Sequence, residues 1–252
     1  MKIALCTLSY GDTYKKMVKY GIRNKERYCK KYNYPLITDE SVIDLSRRTQ
    51  WGKIKLILKY IDQYDYLVWI DADTYITNDA ITLESLVEKY NSESKYSLIY
   101  EKDPFIWVNS GFMIAKNTEY LKALLNECWN HLDQICDEQG SLDYLYRSNW
   151  NNAQNNILVL DHSCGLNQYW NSWQPNDFVI HFPGCHEPGL KPNALEIMML
   201  RYCTEKIDGE SDDTYQQRQL WLNDEVRYYN SSEWVECRKT YKALPRDVYL
   251  GN

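Results

Sequence analysis

The sequence predicts an α/β fold with a mostly parallel central sheet. Three observations carry that expectation. Segments of strand and helix character alternate from residue 2 to about residue 160, the order that generates parallel strands joined by helices. One segment, Tyr66-Leu67-Val68-Trp69-Ile70, runs without a charge, as a strand buried on both faces does. That run ends on two carboxylates, Asp71 and Asp73, at the position where open α/β sheets bind ligands, outside the carboxyl ends of their strands.

The elements follow in order. Residues 2–8 read as the first strand, ending in a polar turn from Ser9 to Asp12. A helix from about 13 to 32 turns Tyr14, Val18, Gly21 with Ile22, Cys29 and Tyr32 inward. Its other side carries Lys15, Lys16, Lys19, Arg23, Arg27 and Lys30 and reads as a solvated basic face. Tyr34 to Ile37 is a short strand. After Gln50-Trp51-Gly52-Lys53, a helix presents Ile54, Ile57, Leu58 and Ile61 on one side. Beyond the aspartates, Thr82 caps a helix with Glu84 in its first turn. Tyr96 to Tyr100 is a strand, and Asn109-Ser110-Gly111 introduces another, Phe112 to Ala115. A helix from 118 to about 134 buries Leu121, Leu124, Leu125, Cys128 and Leu132. Glu138 opens a further helix, Ile157 to Leu160 is a strand, and 162–178 is a shaped loop rich in Asn, Trp, Tyr and Gly. Val179-Ile180-His181-Phe182 is a last apolar run before Pro183-Gly184. Helical patterns near 194–206 and 214–228 suggest a helical C-terminal extension. The expected organisation is one domain over 1–192, extended by 193–252.

Composition narrows the function. With 44% hydrophobic and 25% charged residues in 252, the chain is an ordinary globular one. A net charge of -6 argues against a nucleic-acid partner. The 23 Tyr and 9 Trp suit a carbohydrate or nucleotide ligand, though such residues also fill half-buried strands. Eight Cys without Cys-x-x-Cys spacing read as reduced thiols, not a zinc site. The N-terminal apolar run is too short for a signal peptide, and no stretch approaches a membrane span; a cytoplasmic location is expected. Gly-x-Gly-x-x-Gly, the P-loop pattern and the Gly-x-Ser-x-Gly elbow are all missing, which excludes three common chemistries.

Two Asp one residue apart can converge on one hard divalent cation. The same tripeptide also opens ordinary turns, so it acquires meaning only from the rest of the chain. The ordered set Trp51-Gly52-Lys53, Asp71-Ala72-Asp73, Asn109-Ser110-Gly111, Glu138-Gln139 and His181-Phe182-Pro183-Gly184-Cys185 resembles the GT-A (Rossmann-like) glycosyltransferases. The likeness is to the galactosyl/xylosyltransferases of family 34, and more distantly to family 8. It spans about residues 2–192.

The resemblance implies that Asp71, Asp73 and His181 hold Mn²⁺ or Mg²⁺ on the diphosphate of a UDP-sugar. It places Thr7, Ser9 and Tyr10 at the nucleoside and Lys53, Asn109, Ser110 and Gly111 near the donor sugar. Glu138 would bond sugar hydroxyls, and Gln139 would lie beside the anomeric carbon. The backbone at Gly184 and the side chain of Lys191 would add to the phosphate clamp. Asp73, Glu138 and Gln139 are thus the expected catalytic group, the acceptor is a hydroxyl of a glycan, and anomeric configuration is expected to be retained. A soluble bacterial or viral version of the family is expected. Two other readings remain at this point. A sugar nucleotidyltransferase also pairs Asp with a metal, but Thr7-Leu8-Ser9-Tyr10-Gly11-Asp12 carries no Lys or Arg for a phosphate loop. A non-catalytic carbohydrate-binding module would account for the aromatic residues alone.

Overall fold

The computed structural model describes residues 1–103, 106–131 and 137–184, together with a few positions between 195 and 217. The chain divides into two compact units, Met1–Pro183 and Gly184–Asn252. In the second, Leu195 and Met199 are buried. The division expected at 192/193, Lys191 and most of the C-terminal helical pattern lie outside the described residues.

In the first unit the chain runs β1 (Ile3–Cys6), α1 (Asp12–Tyr32), β2 (Leu36–Ile37), α2 (Gly52–Tyr60), β3 (Tyr66–Ile70), β4 (Thr74–Ile76), α3 (Leu83–Asn91) and β5 (Leu98–Glu101). It continues with β6 (Asn109–Lys116), α4 (Glu119–Asn130), α5 (Glu138–Arg147), α6 (Ala153–Asn156), β7 (Ile157–Leu160), β8 (Gln168–Tyr169) and β9 (Val179–His181). The main sheet has the order β2-β1-β3-β6-β5-β7. Five strands share one direction and β6 alone runs against them, pairing antiparallel with β3 and β5. The expected mostly parallel α/β sheet is therefore present. A second sheet, β4-β9-β8, lies off the end of β3.

Alternation along β3 sorts the two faces of the core. Leu67 and Trp69 pack with Ile54 and Ile57 of α2, Leu121 and Leu124 of α4 and Leu142 of α5. Tyr66, Val68 and Ile70 pack with Tyr28 and Cys29 of α1 and Leu83 and Leu86 of α3. Every β3 residue is buried, which explains the uninterrupted apolar run. Side-chain caps set three helix starts: Thr82 accepts the Ser85 N–H, Thr118 that of Leu121 and Asp137 that of Gly140. The described cysteines, Cys6, Cys29, Cys128 and Cys164, are free thiols.

Three local expectations change. On α2 the buried position is Leu56, while Leu58 is only partly covered. Asn109-Ser110-Gly111 is not a turn before β6 but its first three residues, all buried. On α1 the buried set includes Asn24 and Lys25, two polar residues inside the apolar stripe. Both serve β4. Asn24 accepts from the Ile76 N–H at 2.6 Å and donates to the Ile76 carbonyl at 3.0 Å, so it behaves as a neighbouring strand would. Lys25 donates to the Thr74 carbonyl at 2.9 Å. Burial pulls the Lys25 amine down to about 7, against the charges of Asp73 and Asp71.

Candidate active site

The site forms where β3 ends and β4 begins. Asp71 continues the β3–β6 ladder: its N–H donates to the Gly111 carbonyl at 2.8 Å. Its Oδ1 accepts from Trp69 Nε1 at 2.6 Å and lies 3.0 Å from Lys53 Nζ. Both contacts fall on one oxygen, which leaves Oδ2 for a cation. Asp73 is brought to His181 by a pairing remote in sequence: β4 and β9 run antiparallel with Thr74 opposite His181, and the Phe182 N–H bonds the Asp73 carbonyl at 3.0 Å. His181 Nε2 lies 3.5 Å from Asp73 Oδ1. One donor atom from each of Asp71, Asp73 and His181 lies within 4.8 Å of the other two.

This set fits a divalent cation. Two carboxylate oxygens and one imidazole nitrogen are the donors that Mn²⁺ and Mg²⁺ accept, with coordination positions to spare. Buried His181 Nδ1 has no hydrogen-bond partner, an unmet need in a group that ordinarily has one. Gly111 makes room for the ring. A Cβ at this position would come within 2.5 Å of His181 Cε1 and 2.9 Å of Nδ1. Gly111→Ala is expected to displace the imidazole and weaken metal binding by about 10- to 100-fold, the scale of groups that orient a ligand; calorimetric titration with Mn²⁺ checks it.

Lys53 joins the cation set to α5. It is 3% exposed, and its ammonium contacts Glu138 Oε1 at 2.8 Å, Ser110 Oγ at 3.0 Å and the Ser110 carbonyl at 3.1 Å. Burial alone would lower its pKa, but Asp71 and Glu138 outweigh that and hold it above its ordinary value. Gly52, at the start of α2, leaves room for the side chains of Leu8 and Ile43, whose Cδ2 and Cδ1 a Cβ there would meet at 2.6 and 2.7 Å. Gln139 is fixed by chemistry rather than by shape. The Ser110 N–H donates to its Oε1 at 2.9 Å, so oxygen must face Ser110 and the amide nitrogen remains as a donor. Glu138 is 2% exposed. Its Oε1 is taken by Lys53 and Ser110 Oγ, while buried Oε2 has no partner.

The structure thus brings together Asp71, Asp73, His181, Lys53, Asn109, Ser110, Gly111, Glu138 and Gln139. Thr7, at the end of β1, is fully buried with Oγ1 unpartnered; Ser9 is half-buried and Tyr10 is 36% exposed. Gly184 adopts φ +72° as the first residue of the second unit. Sequence reasoning missed Lys25, Glu101 and Asn167. Asn167 is fully buried and donates to Asn109 Oδ1 at 2.9 Å, and that same oxygen accepts the Gly111 N–H at 3.0 Å.

Residues 2–93 match the model of the galactosyl transferase GMA12/MNN10 family. That stretch contains Lys53, Asp71 and Asp73, in the strand order described above. Over that stretch the chain is similar to the galactosyl transferases of that family. Its fold is GT-A. A glycosyltransferase involved in glycosylating the major capsid of PBCV-1 shares the fold with a TM-score of 0.61 at 13% identity, over 79% of this chain and 99% of that one. The glycosyltransferase GlyE of Streptococcus pneumoniae TIGR4 gives a TM-score of 0.55 at 12% identity, over 88% of this chain and 63% of that one. No curated protein matches this chain by sequence. None of its described helices is long and apolar enough to cross a membrane.

Proposed function

We propose that this protein is a glycosyltransferase that moves a sugar from a UDP-sugar to a hydroxyl of a glycan, using Mn²⁺ or Mg²⁺ held by Asp71, Asp73 and His181, with retention of anomeric configuration. The observation that carries the reading is the convergence of those three donors beside Lys53, Ser110 and Gln139. A bound divalent cation supplies the positive charge that stabilises a departing diphosphate without a proton donor. Lys53 holds Asp71 in place for it. The Gln139 amide nitrogen, left free by the Ser110 contact, donates toward the reacting sugar or the leaving oxygen.

Retention is favoured by what α5 offers. Gln139 is neither a base nor a good nucleophile. Asp143, one turn further on, is buried at 7% exposure; its Oδ1 accepts the Trp107 N–H at 2.8 Å and its Oδ2 lies 3.7 Å from the Arg147 guanidinium, so both oxygens are engaged. A front-face reaction needs neither group: the acceptor hydroxyl bonds the anomeric carbon as the phosphate leaves, and its proton passes to the phosphate oxygen. Thr7, Ser9 and Tyr10 are assigned to the nucleoside, and Asn109 to Gly111 with Glu138 to the sugar.

The test is release of nucleoside diphosphate from a panel of UDP- and GDP-sugars with Mn²⁺ and no acceptor, with a chelator control. Release from one UDP-sugar, abolished by chelation, is the expected result and names the sugar. Release that survives chelation contradicts the metal assignment, and an inverted product anomer by NMR contradicts retention.

A further inference from the structure

A second polar cluster lies at the end of β5, apart from the cation set. Its centre is Glu101, whose side chain is fully buried. No Lys or Arg side chain pairs with it among the described residues. Four hydrogen-bond donors from one short segment converge on it instead, with the His162 ring beside them. Oε2 accepts the N–H groups of Leu166 at 3.0 Å and Asn167 at 2.8 Å, and lies 3.2 Å from the Cys164 thiol. Oε1 accepts from Gln168 Nε2 at 2.6 Å and lies 3.0 Å from His162 Nδ1. Gly165 makes the convergence possible: at φ +78° it turns the chain so that two successive N–H groups face one carboxylate. A Cβ there would also strike Asp177 Oδ1 at 2.5 Å.

The segment held in this way touches both halves of the cation site. Asn167 bonds Asn109 Oδ1, which fixes the Gly111 N–H, and the Gly111 carbonyl receives the Asp71 N–H. Gln168 and Tyr169 pair with Ile180 and His181, the Trp170 N–H bonds the His181 carbonyl at 2.9 Å, and the Tyr169 ring lies 5.7 Å from the His181 ring. Tyr169 is anchored in turn by its hydroxyl on Asp103.

We propose that Glu101 is a positioning residue for the transfer reaction: by gathering residues 162–168 onto one buried carboxylate it keeps Asp71 and His181 at the spacing a single cation requires. Glu101 touches neither cation nor sugar; it acts through Asn167 on one side and through the Tyr169–His181 pairing on the other. The demand for a carboxylate is specific. Four neighbours donate to it, and a carboxylate offers two acceptor oxygens with about four lone-pair sites, whereas a glutamine amide would set its own N–H groups against donors on one side. Burial pushes the carboxyl up to about 7, while the bonds from Cys164, Asn167 and Leu166 pull against that rise.

The inference rests on the metal-dependent reading above, and its test separates the two. Binding of UDP with Mn²⁺ is measured by calorimetry, and the thermal midpoint by circular dichroism, for the wild type, Glu101→Gln, Gln168→Ala and the control Leu124→Ala. Leu124 is fully buried in the core below α4 and has no part in the cluster. Glu101→Gln is expected to raise the apparent Kd by about 10- to 100-fold, and Gln168→Ala, which removes one donor of four, by several-fold. Leu124→Ala is expected to lower the midpoint while the Kd stays within about twofold. If Glu101→Gln does not fold, Gln168→Ala against Leu124→Ala decides by the same criterion. Wild-type affinity in the cluster variants, or a loss no larger than the control's, overturns the inference alone. A wild type that does not bind UDP with Mn²⁺ overturns the functional reading and this inference with it.

Discussion

Asp73→Asn is expected to lower metal-dependent release of nucleoside diphosphate by about 10³-fold or more, a barrier increase of about 4 kcal/mol, while the protein stays folded. The substitution keeps the shape of the side chain and removes the charge. Asp73 is buried at 6% exposure and sits against His181, so no neighbouring water can take over its place on a cation as readily as at an open site. The β4–β9 pairing that carries both residues is made by backbone and does not depend on the carboxylate. Activity and stability should therefore separate: the midpoint moves by a few degrees at most, and turnover falls to near background. Assay of donor hydrolysis beside a thermal melt checks both halves. A variant that retains a tenth of wild-type turnover would show that Asp73 does not hold the cation.

Lys53→Met is expected to have the opposite signature, with a large loss of stability accompanying the loss of activity. Lys53 is the shared partner of Asp71 and Glu138, at 3.0 and 2.8 Å. Its removal leaves two carboxylates facing each other with no cation between them, one of them fully inside the protein. Breaking a buried ion pair from one side costs about 3–5 kcal/mol, a large share of the stability of an ordinary domain. Adding Glu138→Gln removes one of the stranded charges, so the double variant should regain much of the midpoint. It should not regain turnover, because Asp71 still lacks its anchor. Differential scanning calorimetry on the two variants gives the comparison. A Lys53→Met protein that melts with the wild type would mean that the ion pairs carry little net energy and that Lys53 is held there for its contact with ligand alone.

These two residues also mark how far the sequence could be read. That an apolar run of five residues is a strand ending at Asp71 was legible locally, whereas singling out Asp71 and Asp73 took the resemblance, because the same tripeptide also opens ordinary turns. The helix start at Thr82 was legible from its cap, and the starts at 118 and 138 were also placed correctly, where the structure shows caps by Thr118 and Asp137. What was not legible depends on partners far away in the chain. The strand that delivers His181 has three residues and finds β4 across a separation of 107 positions, and no period or propensity announces such a pairing. Lys25 sits among other basic residues on α1, and only the packing of that helix on β4 distinguishes it from the solvated ones. Glu101 ends an unremarkable strand, and the four donors that give it meaning lie more than sixty residues further on. Asn109-Ser110-Gly111 could be read as chemistry but not as strand, since glycine and asparagine are poor strand formers. The close approach of His181 overrides that preference.

The most direct test of the central claim is pulsed electron paramagnetic resonance of Mn²⁺ bound to the protein in the presence of UDP. One bound ion with a directly coordinated nitrogen is expected, whose coupling changes when histidine is labelled with ¹⁵N and disappears in His181→Ala. Mn²⁺ bound with no nitrogen coupling, or with a coupling that survives His181→Ala, would contradict the assignment of Asp71, Asp73 and His181 as the cation site.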